Sequence, residues 1–287
     1  MAKIVKGADV AAKIKEDISQ RLAKLRAENK DAKLAILSVG DDPANASYER
    51  GIIKVFDGLG IAHEKTVLDA GCSQDEFDKT FTRINEDSTV TGILVFRPLP
   101  KPLSVEFAAR TINPSKDIDC MGYYNQASTA MGSKDCFYPC TAEAVLKFLD
   151  YENIDLAYKN VVVIGRSTVV GRPLVSMLIS RNATVTCCHT KTADITDRIS
   201  NADIVVTAAG SRALLKGDML KNAKKECFCI DVGINMREDG QGICGDIDFD
   251  SVEPLVERIT TVPGGVGSVT STLLAEHVVR GAEELFL

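Results

Sequence analysis

The stretch Asn160-Val-Val-Val-Ile-Gly165-Arg-Ser-Thr-Val-Val-Gly171-Arg-Pro-Leu174 decides the fold. Four consecutive β-formers run into Gly165, a polar turn follows, and from Gly171 an apolar pattern at Leu174, Met177 and Leu178 continues at helical spacing. The pattern reads as strand, turn, helix. A parallel strand feeding a helix through a tight Gly-bearing turn leaves N–H groups at the helix start without intrahelical partners, and these attract phosphate. Only Gly165 and Gly171 of the G-x-G-x-x-G spacing are present, so the turn taken alone also fits an ordinary strand-to-helix connection.

The units that follow favour the nucleotide. Strands are expected over 183–189, 202–210 and 226–233, ending near His189-Thr190, Ala209-Gly210 and Gly233, with helical segments between them. Such alternation builds a parallel, doubly wound sheet whose ligand crevice lies at the carboxyl ends of the strands. Upstream, apolar spacing predicts a helix over 10–27, a strand over 34–40, a turn at Asp41-Asp-Pro-Ala-Asn45, and a helix over 46–59 carrying Tyr48 and Lys54. Further strands are expected over 61–68 and 90–96 and a helix over 77–85; Arg97-Pro-Leu-Pro-Lys-Pro102 cannot continue a sheet. A helix over 141–150, with Thr141 as its cap, bridges two α/β domains. These are 1–140, completed by a last helix over 270–287, and a Rossmann-like domain over 141–269.

With 287 residues, 45% of them hydrophobic, there is material for proper cores. A net charge of −6 and the absence of a basic run argue against a nucleic-acid surface. No apolar stretch reaches membrane-spanning length and the first residues lack a signal peptide's hydrophobic region, so a cytoplasmic protein is expected. Nine cysteines, with Cys187, Cys188, Cys227 and Cys229 inside apolar strands, read as buried small hydrophobes in a reducing compartment. Cys120, Cys136 and Cys140 lack the spacing and the nearby His of a zinc site, and no metal is expected.

Six motifs together resemble the methylenetetrahydrofolate dehydrogenase/cyclohydrolase family: Gly165–Pro173, Pro114-Ser-Lys-Asp-Ile-Asp119, Phe137-Tyr-Pro-Cys-Thr141, Cys188-His-Thr-Lys-Thr192, Asp231-Val-Gly-Ile-Asn235 and Val262-Pro-Gly-Gly-Val-Gly-Ser-Val-Thr270. The resemblance implies folate bound between two α/β domains, a nicotinamide cofactor on the second, and a homodimer through that second domain. It implies catalytic and folate-binding roles for Tyr48 and Asp119, with Pro98, Leu99, Pro263, Gly264 and Gly265 lining the substrate. Cofactor contacts are expected from Gly165, Arg166, Ser167, Val170, Gly171, His189, Thr190, Ala209, Gly210 and Ile234.

The chain departs from the family pattern where proton transfer is done. The family's catalytic Lys, one helical turn after the Tyr, is Ile52 here; its Gln before Leu-Pro-Leu-Pro is Phe96, followed by Arg97; its Ser before the Tyr is Asn45. Lys54 lies six residues after Tyr48, about 240° round the helix. The resemblance therefore implies a dehydrogenase that has lost the cyclohydrolase step, with a bifunctional enzyme and a non-catalytic binding protein as alternatives. The strand ending His189-Thr190-Lys191 carries no carboxylate until Asp194, which leans the cofactor toward NADP over NAD.

Overall fold

The computed structural model describes residues 1–40 and 43–285, with the side chains of 43–45, 47 and 285 outside the description. The strands are β1 (Lys3–Val5), β2 (Lys33–Val39), β3 (Ala62–Leu68), β4 (Gly92–Val95), β5 (Asn160–Ile164), β6 (Thr184–Cys188), β7 (Ile204–Thr207), β8 (Phe228–Asp231), β9 (Asn235–Met236), β10 (Ile243–Cys244) and β11 (Arg258–Thr260). The helices are α1 (Gly7–Ala27), α2 (Pro43–Leu59), α3 (Gln74–Glu86), α4 (Glu106–Thr111), α5 (Tyr123–Ala130), α6 (Cys140–Tyr151), α7 (Gly171–Ser180), α8 (Ile195–Ile199), α9 (Phe249–Val252) and α10 (Gly267–Leu285).

The chain divides into two compact units. The first comprises Met1–Ala12, Ala130–Gly132 and Thr141–Thr270; the second comprises Lys13–Thr129, Ser133–Cys140 and the chain from Ser271 onward. Residues 1–12, expected with the amino-terminal domain, belong to the nucleotide-type unit, because β1 pairs in parallel with β11, Ile4 opposite Ile259.

The first unit holds a six-stranded sheet in the order β1-β11-β8-β7-β5-β6, every pairing parallel. The chain runs from β5 outward to β6, then returns to β7 on the other side of β5. The winding reverses between β5 and β7, and at such a switch point the carboxyl ends of the strands open a crevice. Val161 to Ile164 are all buried, as a central strand covered on both faces requires, and this makes the sequence a continuous apolar run. β6 is the edge strand, so Cys187 is exposed, against the expectation of a buried thiol, while Cys188, Cys227 and Cys229 are buried.

The second unit holds the parallel sheet β3-β2-β4. α3 covers it through Phe77, Phe81 and Ile84, one stripe at i, i+4 and i+7, and Ser73 caps the helix by accepting from the Glu76 N–H at 3.2 Å. Each fully buried Phe here stabilises the fold by about 2–3 kcal/mol of apolar transfer. α10 packs on β4: an added Cβ at Gly92 would sit 2.7 Å from Val278, and Thr91 Oγ donates to the Val278 carbonyl at 3.1 Å. α2 begins at Pro43, so Asn45 lies within a helix and not in the expected turn; Asp41 and Asp42 lie outside the described residues. α6 begins at Cys140, which places Thr141 inside the helix instead of at its cap.

Candidate functional site

In the first unit the expected nucleotide turn sits at the switch point. Gly165, at φ +138°, ends β5, and a Cβ there would lie 2.1 Å from the Ala208 carbonyl oxygen; a Cβ at Gly171 would lie 2.2 Å from the Gly165 oxygen. Both glycines are required by backbone packing among β5, β7 and α7. The helix start differs from expectation, because its donors are used internally. Ser167 Oγ accepts from the N–H groups of Val170 and Gly171 at 3.1 and 3.4 Å, the Ser167 carbonyl accepts from Arg172, and Pro173 has no N–H. The N–H groups without a partner among the described residues lie one turn earlier, on exposed residues 166–169. Anion-binding capacity has moved from helix to turn.

Ala209 and Gly210, beyond β7, are held by a side chain that sequence reasoning missed. Asp246, fully buried, accepts through Oδ2 from the N–H groups of Ala209 (2.7 Å) and Gly210 (3.0 Å), and through Oδ1 from Ser211 N–H (2.7 Å) and Asn235 Nδ2 (2.9 Å). Asp231 makes the matching brace, accepting from Thr207 Oγ and from the N–H groups of Gly233, Asp246 and Ile247. Desolvation raises the Asp231 pKa while those backbone donors oppose the rise. Gly210 has open space where a Cβ would stand, and Ile234 is 63% exposed, so both are accessible.

At the end of β6, His189 Nδ1 accepts from Lys191 N–H and Thr190 is exposed. The Asp194 carboxylate caps α8 by accepting from Asp197 N–H at 3.0 Å. Arg166 is exposed and in no ion pair with a described residue. The loop with Pro263, Gly264 and Gly265 also belongs to this unit, where Gly7 N–H donates to the Gly264 carbonyl at 2.8 Å. A Cβ at Gly265 would lie 2.3 Å from the Thr261 oxygen, so that glycine answers to packing within the loop.

In the second unit Tyr48 and Asp119 come together. Tyr48 stands on α2, its ring centroid 6.3 Å from that of Phe96 at the end of β4. The loop bearing Asp119 is fixed from both sides. Lys116, buried, donates to the carbonyls of Asn85 and Asp87 at the end of α3, both at 2.8 Å. Asp117 accepts from Met121 N–H, Gly122 N–H and Asn125 Nδ2 at 2.7–2.9 Å, and burial pushes its pKa up to about 6. Asp119 Oδ2 accepts from Arg97 Nη2 at 3.1 Å, a contact the sequence did not announce.

Around Asp119 stand Arg97, His277 of α10, Cys140 of α6 and Tyr48. Desolvation raises the Asp119 pKa, and the Arg97 charge, then that of His277, pull it back. Desolvation likewise raises the Tyr48 phenol, helped by Asp119 and Cys140 and opposed by Arg97, so the phenol stays protonated at neutral pH. His277 Nδ1 lies 2.7 Å from the Ile118 carbonyl, which can only accept, so that nitrogen carries a proton. Ile52 is fully buried and Phe96 is 6% exposed, whereas Lys54 is exposed on another face of α2. Pro98 is exposed and Leu99 packs at the rim of the sheet's apolar cluster; the side chain of Asn45 lies outside the described residues.

Comparison with known proteins places this geometry. Residues 5–119 match the model for the tetrahydrofolate dehydrogenase/cyclohydrolase catalytic domain, and residues 139–286 the model for that family's NAD(P)-binding domain. The bifunctional protein FolD of Clostridium botulinum (strain 657 / Type Ba4) is 46% identical over 283 residues, 99% of each chain. The crystal structure of the bifunctional FolD methylenetetrahydrofolate dehydrogenase/cyclohydrolase from Campylobacter jejuni superposes with a TM-score of 0.94 at 36% identity, over 99% of each chain. The Trypanosoma brucei dehydrogenase-cyclohydrolase, solved with NADP and an inhibitor, gives 0.90 at 30% identity, over 99% of this chain and 98% of that one.

The Asp246 brace yields a stability prediction. In Asp246→Asn the amide offers one acceptor where two stood, so whichever way it turns, two N–H groups face an NH2. A buried donor left unsatisfied costs about 1–3 kcal/mol, and the variant is expected to lose about 2 kcal/mol or more. A lower urea midpoint at unchanged slope is the expected result; an unchanged midpoint would show that the brace is dispensable.

Proposed function

The chain belongs to the tetrahydrofolate dehydrogenase/cyclohydrolase family, and from that premise we propose that it oxidises 5,10-methylenetetrahydrofolate to 5,10-methenyltetrahydrofolate and does not hydrolyse the product. The observation that carries the second half is the replacement of both proton-handling positions by buried hydrocarbon, Ile52 and Phe96, beside Tyr48.

A nicotinamide dinucleotide, when bound, takes the hydride from the one-carbon bridge. The residues of the first unit fit such a ligand: an exposed turn of unpartnered N–H groups at 166–169, next to accessible Gly210, at a sheet's switch point. On the folate, loss of hydride leaves a cation shared by N5 and N10, and no proton has to move. What the protein supplies is alignment and a favourable field. Asp119, paired with Arg97, holds the pterin's N–H edge, and the Tyr48 ring offers a stacking face.

Hydrolysis asks for more. Water must lose a proton as it attacks the methenyl carbon, and N5 must gain one as its bond to that carbon breaks. A guanidinium offers donors and no acceptor, so Arg97 is no base, and Tyr48, its pKa raised by desolvation, holds its proton. Lys54 is solvated on a different face. The bifunctional alternative would need that lysine to turn inward.

For the cofactor we favour NADP. Asp194, the first carboxylate after β6, is occupied in capping α8, while Arg166 and Thr190 are exposed and suited to phosphate oxygens. The same reading makes the protein a homodimer through the first unit, where β6 is an edge strand.

Two experiments test this. Ile52→Lys combined with Phe96→Gln should bring methenyl hydrolysis at least about tenfold above that of the unmodified protein, within the usual contribution of one proton-transfer group. A double variant as inert as its parent would sink the assignment of those two positions. Separately, kcat/KM should favour NADP, and Arg166→Ala should remove most of that preference while leaving the rate with NAD nearly unchanged. An NAD-preferring wild type refutes the phosphate role of Arg166.

A further inference from the structure

Among the described residues Arg97 is the one guanidinium at the Asp119 cluster, and its geometry is not that of a stabilising ion pair. It meets the carboxylate through a single nitrogen at 3.1 Å, with no second bond from the guanidinium to Asp119 or to another described residue. Both side chains are partly open to solvent, 30% for Arg97 and 26% for Asp119. A one-point pair at that exposure contributes little to folding, because water competes for both ions. Four of the five guanidinium N–H donors are left over. Next to Arg97 in the chain Phe96 is buried, and the Tyr48 ring centroid stands 6.3 Å from that of Phe96. A partly exposed guanidinium with one bond made and four donors left over is arranged for a ligand acceptor, in the way an Arg recognises a planar group.

The edge of a pterin offers two donors, the 2-amino group and N3–H, next to one acceptor, the C4 carbonyl. Asp119 and Arg97 present the complement in the same order, a carboxylate that accepts and a guanidinium that donates, already joined to each other. We infer that Arg97 is a specificity-determining residue of the folate site, donating to the C4 carbonyl of the pterin while its bond to Asp119 orients the carboxylate toward N3–H and the 2-amino group. This rests on the folate reading above and deepens it. Arg97 thus restores a cation and a directed donor to a pocket in which positions 52 and 96 carry neither.

The test is a binding comparison that needs no turnover. Isothermal titration of the full chain would measure 5-formyltetrahydrofolate against its 4-thioxo counterpart, which keeps N3–H and the 2-amino group and offers sulfur, a poor acceptor, where the carbonyl oxygen was. Wild type should prefer the 4-oxo compound. Arg97→Leu should cut that preference by roughly tenfold or more, the worth of one hydrogen bond to a charged group. Arg97→Lys, which keeps the charge and loses the fork, should retain only part of it. Asp119→Asn should weaken both compounds by similar factors. A preference unchanged in Arg97→Leu, or equal weakening of both compounds in it, overturns the assignment and leaves Arg97 as a support for Asp119. A wild type that binds neither compound overturns the folate reading itself, which is a separate failure.

Discussion

A carboxylate partly withdrawn from water is helped by positive charge or hydrogen-bond donors within a few ångströms, and in the second unit that requirement falls on Asp119, 26% exposed. The chain meets it with Arg97, from the irregular segment after β4, together with His277 on α10. The rest of the unit serves to bring those parts to one place. Lys116 ties the Asp119 loop to the end of α3, Asp117 gathers the following turn, and α10 packs on β4 so that His277 reaches the Ile118 carbonyl. Lys54, the lysine that α2 does carry, is exposed on another face of that helix. In the reading proposed above, that placement separates a site that binds and aligns a folate from one that also moves protons on it.

The first unit solves its problem with backbone instead of side chains. Its two glycines at 165 and 171 let strand ends and a helix start approach more closely than any Cβ permits, and two buried carboxylates tie down the loops after β7 and β8. Asp231 and Asp246 act as surrogate backbone acceptors for N–H groups of those loops. A nucleotide bound as proposed would meet loops after β7 and β8 that are already tied down.

The fold was legible where burial imposes a period or a run. β5, covered on both faces, spells itself out as Val161 to Ile164, and α3 announces its stripe with Phe77, Phe81 and Ile84. β1 and β11 were not legible, because three residues carry no periodicity and their place is fixed only by pairing with strands more than 200 residues away in sequence or already in the sheet. Cys187 was misjudged for a related reason: its sequence neighbours do not reveal that β6 lies at an edge. At the site, residue types told more than positions. Ile52 and Phe96 cannot carry protons wherever they lie, so the proposed loss of hydrolysis rests on residue types that the sequence already displays. Arg97 and Asp246 could not, since a lone charged residue in a Pro-rich or Gly-rich loop has no pattern, and only the folded chain shows which backbone or carboxylate it meets. The signal available in advance was the doubling of Asp246 and Asp248 after Gly245, beyond a turn rich in Gly.

The central claim is that oxidation and hydrolysis have been separated in one site, and the most direct measurement follows both on a single preparation. Purified protein is given 5,10-methylenetetrahydrofolate and NADP, and reduced nicotinamide and the methenyl chromophore are recorded together. The account predicts one methenyl formed for each nicotinamide reduced, decaying afterwards no faster than in buffer. Reduced nicotinamide rising while the methenyl species is consumed as fast as it forms, with 10-formyltetrahydrofolate in its place, would contradict it.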